Sequence, residues 1–150
     1  MSARFAHANI VASDFEALAA FYQQVFGCER LEPVRDLSAP WLARATGVPN
    51  ARLRGVHLRL PGHGATGPTL EIFQYEPALE RAPAAANRPG LGHLAFEVDD
   101  VSAHRRAVVA AGGHDLGETV TASIEGAGPI TFVYLTDPEG NIIELQRWDR

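Results

Sequence analysis

A chain of 150 residues with 46% hydrophobic content is long enough to bury one sizeable core, and it needs neither a disulfide nor a metal ion merely to fold. A formal charge of −5 and a pI near 5.6 exclude a general affinity for nucleic acid or an anionic membrane, each of which needs a concentrated basic face, so the expected partner is a small molecule. Cys28 is the only cysteine, no stretch is long and apolar enough to span a bilayer, and the opening MSARFAHANI lacks the layout of a secretory leader; a soluble cytoplasmic protein is expected.

In chain order, the segment around His7 reads as a short alternating strand. A helix follows over about 14 to 26: Ser13 and Glu16 fit a capping box, Phe15, Leu18, Tyr22 and Val25 recur at helical spacing, and Gly27 is a natural stop. The next strand, near 28 to 35, is the weakest of this half. LSAPWLARATGV (37 to 48) carries extra residues. VHLRLPGHGATGPTLEIFQY (56 to 75) reads as two strands joined by a glycine-rich turn, and PALERAPAAANRPG (77 to 90), rich in proline and alanine, as a linker. Beyond it Leu94, Phe96 and Val98 point to one face of a strand while His93, Ala95 and Glu97 point to the other. A second helix is expected over about 100 to 111, capped by Asp99 or Asp100 and ended by Gly112 and Gly113. A weak strand near 114 to 124 precedes the hairpin VYLTDPEGNIIELQRW (133 to 148), whose Asp137, Pro138, Glu139 and Gly140 fit a type I turn.

These elements occur twice. His93, Asp100 and Gly113 each follow His7, Asp14 and Gly27 by 86 residues, so a strand, a helix start and a helix stop recur together. The hairpins repeat too, with a turn 4 residues longer in the first copy. The expected fold is α+β: two tandem βαβββ modules, at about 4 to 76 and 91 to 148, joined by the 77 to 90 linker in a single domain. Their strands form a curled mixed sheet, a cup with the helices outside and a concave inner face.

Four candidate metal ligands fall at matching places in this pattern. His7 and His93 share one position on the opening strands, and Glu71 and Glu144 share one on the closing strands. Leu70 and Ile72, like Ile143 and Leu145, alternate away from the glutamates, which therefore lie on the non-core face. Two imidazoles and two carboxylates suit one borderline divalent ion: zinc, nickel, cobalt, manganese or iron(II). In an octahedral ion they leave two positions for a substrate with two adjacent oxygens. His57 and Arg59 share this face, and His57 corresponds to Tyr134; lining a pocket and facing solvent both remain open for them. Phe73, Phe132 and Tyr134 are candidate pocket walls, with core packing as the other reading. Trp41 in the extra segment serves as a lid or a dimer contact. His63, His104 and His114 are not expected to be ligands.

The segments AHANIVASDFEALAAFYQQVFG, TLEIFQY, GLGHLAFEVDDV and DPEGNIIELQ carry a resemblance. Through nearly all of 4 to 148 the chain resembles the vicinal oxygen chelate superfamily, which includes glyoxalase I, methylmalonyl-CoA epimerase, extradiol dioxygenases and the fosfomycin- and bleomycin-resistance proteins. The resemblance implies metal ligands at His7, Glu71, His93 and Glu144, a set that looks most like that of glyoxalase I, and it implies a homodimer. The implied activity is a lyase, isomerase or epimerase that abstracts a proton alpha to a carbonyl, with Glu144 or Glu71 as base. Two other activities stay open: an iron(II) dioxygenase using His7, His93 and Glu144, and a non-catalytic protein that binds a drug or metabolite.

Overall fold

Strand alternation and helix caps account for most of the architecture in the computed structural model, which describes residues 2–149. The contacts divide the chain into a first unit ending at Arg81 and a second beginning at Ala82. Each is α+β, with one mixed sheet and a helix on one of its faces.

In the first unit, β1 (His7–Val11) leads into α1 (Phe15–Phe26), then β2 (Glu29–Leu37), α2 (Pro40–Thr46), β3 (Arg52–Arg59) and β4 (Thr69–Glu76). The sheet order is β1-β4-β3-β2. β1 lies parallel to β4 and the other pairings are antiparallel. The cap of α1 is Asp14, not Ser13: the Asp14 backbone is extended and its carboxylate accepts a hydrogen bond from the amide of Ala17. Glu16 turns instead to a two-pronged pair with Arg30. Gly27 ends the helix in the left-handed conformation, φ 68°, which glycine adopts without strain. α1 packs on β3 and β4 through Leu18 and Tyr22, and beneath them Val56, Leu58, Leu70 and Ile72 are fully buried. Each such aliphatic side chain contributes about 1.5–3 kcal/mol of burial.

The extra segment folds as α2, with Pro40 in its first turn and Gly47 closing it at φ 71°. Leu42 buries against Ala51 and Leu53, with Leu37, Val48, Phe73 and Tyr75 around them. A second small core therefore lies on the opposite side of the sheet from α1, at the Leu53–Tyr75 end of the β3–β4 pair.

The second unit repeats the order. β5 (Leu94–Glu97), α3 (Val101–Ala110), β6 (His114–Asp115), β7 (Val120–Ile124), β8 (Gly128–Thr136) and β9 (Ile142–Trp148) give the order β5-β9-β8-β6, with β7 also on β8. β5 is parallel to β9 and begins at Leu94, so His93 stands just before the strand rather than within it. Asp100 caps α3, accepting from the amide of Ala103. The expected 114–124 strand is two short pieces. Between them the amides of Leu116 and Gly117 both donate to the carbonyl of Tyr134, which breaks the ladder register. β2 has the matching irregularity between Leu31 and Arg35, where Pro33 has no amide hydrogen to offer. Val133, Leu135, Ile143 and Leu145 are fully buried on the α3 side. In the β8–β9 turn the amide of Gly140 donates to the carbonyl of Asp137, as the type I assignment requires.

No helix among the described residues is long and apolar enough to cross a membrane.

Candidate metal and substrate site

Parallel pairing of β1 with β4 sets Asn9 opposite Glu71 and His7 opposite Thr69, all on the sheet face away from α1. Nε2 of His7 lies 3.3 Å from Oε2 of Glu71, and the side-chain amide of Asn9 donates to the same oxygen at 3.3 Å. From the other side, antiparallel pairing makes His57 on β3 the direct cross-strand partner of Glu71. Its Nε2 meets Oε1 at 3.0 Å, while its Nδ1 pairs with the Thr69 hydroxyl at 3.3 Å. Glu71 is thus 8% exposed with nitrogen atoms against both of its oxygens, so neither buried oxygen lacks a partner. Burial pushes the His57 pKa below the usual histidine value, with the Glu71 charge opposing, so the ring is neutral near neutral pH.

The second unit builds a simpler version. Ala95 on β5 pairs with Glu144 on β9, and His93, two residues earlier, reaches back so that its Nε2 lies 2.9 Å from Oε2 of Glu144. Tyr134 on β8 is the cross-strand partner of Glu144 and stands where His57 stands in the first unit. Burial first, then the Glu144 charge and the hydrogen bond to Glu144, raise the Tyr134 pKa, so the phenol keeps its proton. The His93 ring lies 5.0 Å from that of Tyr134, and Phe132 meets Tyr134 edge-on at 6.0 Å.

Within each unit, among the described residues, no three histidine, cysteine, aspartate or glutamate side chains gather as a metal cluster. Each offers a pair. Imidazole nitrogen and carboxylate oxygen are both ligand types for a borderline divalent ion, so His7 with Glu71 and His93 with Glu144, in contact at 3.3 and 2.9 Å, fit such an ion in donor chemistry and would be the residues to hold it.

The family model described as "Glyoxalase/Bleomycin resistance protein/Dioxygenase superfamily" matches residues 4–145. The chain belongs to this superfamily. Among similar proteins, an ethylmalonyl-CoA/methylmalonyl-CoA epimerase of Cereibacter sphaeroides is 26% identical across 98% of this chain and 99% of its own length. The uncharacterised protein YaeR of Escherichia coli is 27% identical across 93% and 92%. A crystal structure of a glyoxalase family protein from Bacillus cereus superposes with a TM-score of 0.81 at 19% identity, covering 98% of this chain and 95% of that one. A family enzyme from Burkholderia phytofirmans gives 0.61 at 19%, covering 97% and 98%. The two structures establish the shared fold.

Other residues singled out in this superfamily member fall in three places. Phe73 sits beside the first pair, its ring 5.9 Å from that of His57 and crossing Gly55 on the neighbouring strand. Arg59 shares the His57 face, but its guanidinium is engaged by Glu29 at 2.9 Å and by the carbonyl of Ala65, which ties it to the β3–β4 loop. Trp41 is 49% exposed on α2, while the adjacent Leu42 does the packing. Asn9 and Thr69 escaped the sequence reading. Their signal was the strand period itself: each lies two residues from a candidate ligand, Asn9 after His7 and Thr69 before Glu71, and so shares its face.

Proposed function

We propose that the chain is a divalent-metal-dependent enzyme of the glyoxalase type that removes a proton alpha to a carbonyl from a small substrate chelated through vicinal oxygens. The supporting observation is the repeated histidine–glutamate pair, His7 with Glu71 and His93 with Glu144, in direct contact at equivalent places in the two units. One divalent ion is the proposed cofactor, and zinc, nickel, cobalt, manganese and iron(II) all suit these donors. The bound ion supplies Lewis acidity, worth several kcal/mol against the negative charge that develops as the proton leaves.

The protein's own contribution is to hold donors and base in place. Tyr134, protonated and hydrogen-bonded to Glu144, and His57, neutral and set against Glu71, orient the two carboxylates from the neighbouring strands. Glu144 or Glu71 would take the alpha proton from one face, and an epimerisation would need a second acid, the other carboxyl once protonated, to deliver a proton to the opposite face; either glutamate could act as base only where it is free of the ion. Phe73, against His57, and Phe132, against Tyr134, each add apolar surface beside the carboxylate of their own unit. The relative named as an acyl-CoA epimerase favours an alpha-substituted acyl thioester over a hemithioacetal. A cytoplasmic homodimer is part of the same proposal.

Two measurements test it together. Elemental analysis of the purified protein is expected to show one divalent ion per chain, reduced in Glu71→Gln. Metal-loaded protein in deuterated water is expected to exchange the alpha hydrogen of acyl-CoA epimers or of hemithioacetals. Absence of exchange with both substrate classes refutes the reaction assignment.

A further inference from the structure

We propose that His57 is a positioning residue that fixes Glu71 as a one-oxygen metal donor; this rests on the metal reading above and adds to it the part played by the cross-strand neighbour. Nε2 of His57 faces Oε1 at 3.0 Å, while the donors on Oε2 are Asn9 and, from the candidate ligand set, His7. The two carboxylate oxygens therefore have separate neighbours: Oε2 faces His7 and Asn9, and Oε1 faces the ring from β3. With Oε1 held by His57, Oε2 would be the oxygen left for an ion shared with His7. Thr69 completes the chain: its hydroxyl meets Nδ1 of His57 and leaves Nε2 for the carboxylate, so orientation runs Thr69, His57, Glu71. The His57 ring stands directly across the β3–β4 ladder from Glu71 and rests edge-on against Phe73.

The second unit supports the assignment independently. At the register position equivalent to His57 it carries Tyr134, a different side chain that also hydrogen-bonds its glutamate. The position retains its task while its chemistry changes. His57 is 22% exposed in its side chain, close enough to the surface that its replacement leaves the core on the α1 side untouched.

The test is cobalt(II) titration of metal-free wild type, His57→Ala, His57→Gln and Thr69→Val, followed by visible absorption, with the thermal midpoint of each metal-free protein as control. His57→Ala is expected to bind cobalt about 10- to 100-fold more weakly, the usual loss when a residue orienting a ligand is removed. His57→Gln, whose amide can still donate to Oε1, is expected to recover much of that affinity, and Thr69→Val to lose less than His57→Ala. The midpoints of the metal-free proteins are expected to stay together. Wild-type affinity in a folded His57→Ala overturns the proposal. So does a change in the absorption band that marks the loss of a coordinating nitrogen in both His57 variants, which would make His57 a ligand. Should His57→Ala fail to fold, unaltered affinity in Thr69→Val and lowered affinity in His57→Gln overturn it equally. A wild type that binds no cobalt overturns the metal reading itself.

Discussion

Gly55 is the tightest point of the sheet face that carries the first histidine–glutamate pair. It lies opposite Phe73 in the β3–β4 ladder, and a methyl group on its Cα would meet the carbonyl oxygen of Ile72 and Cδ1 of Phe73 well inside van der Waals contact, with Cα of Phe73 at 2.9 Å. Two of those three obstacles are backbone atoms of the adjoining strand, which cannot retreat without breaking ladder hydrogen bonds. Overpacking of this kind costs about 1–3 kcal/mol, and the backbone share puts Gly55→Ala at the upper end. The stiffer unfolded chain of the alanine variant returns about 0.4–1 kcal/mol, leaving a net loss of about 2 kcal/mol. For a chain of this length that corresponds to a melting midpoint lowered by about 4–8 °C. Thermal unfolding followed by far-ultraviolet circular dichroism reads it. Gly117→Ala is the control, because nothing lies within 4 Å of a methyl group there and its expected change is within about 0.5 kcal/mol. A Gly55→Ala midpoint within about 1 °C of wild type refutes the steric argument.

Two other outcomes follow from burial. Cys28 is 4% exposed, and burial pushes its thiol up to about 11 from 9.0. Between those values the unfolded chain has released a proton that the folded chain keeps, so stability falls as pH rises, by up to about 3 kcal/mol; denaturant titrations across this range should show the slope in wild type and lose it in Cys28→Ala. Asp137 is fully buried, and its carboxylate accepts from the amides of Glu139 and Asn141 and from the Asn141 side chain. Asp137→Ala strands those donors and is expected to cost about 2–4 kcal/mol in urea unfolding, with Asp137→Asn intermediate because it keeps one acceptor oxygen; equal stability of all three proteins would refute the role of the turn.

Much of this architecture was legible because two simple periods are written into the chain twice. The α1 stripe of Phe15, Leu18, Tyr22 and Val25 became a buried helix face, and the alternation of Leu70, Glu71 and Ile72 became core, site face and core. The cap moved by one residue because Ser13 and Asp14 are both competent acceptors, and only the backbone conformation at Asp14 decides between them. α2 was missed although Pro40 and Gly47 bracket it, since seven residues with a single buried leucine give no stripe. His57 and Thr69 lie in one predicted hairpin and Asn9 keeps the strand period of His7, but their meeting around Glu71 also requires β1 to pair with β4, and that pairing of segments 62 residues apart leaves no local trace. The break between β6 and β7 comes from the amides of Leu116 and Gly117 sharing the Tyr134 carbonyl, and nothing in the side-chain pattern of 114 to 124 marks it.

The parallel seam between β1 and β4 has a kinetic consequence. Asn9 and Glu71 are 62 residues apart, whereas His57 and Thr69, in the hairpin, are separated by only 12. Closing the longer loop costs about 1.5 kcal/mol more chain entropy, so the hairpin can zip up early and display its carboxylate before the amino-terminal strand docks. During synthesis the imidazole of His7 emerges first yet must wait for nearly the whole first module to leave the ribosome before it meets its acidic partner.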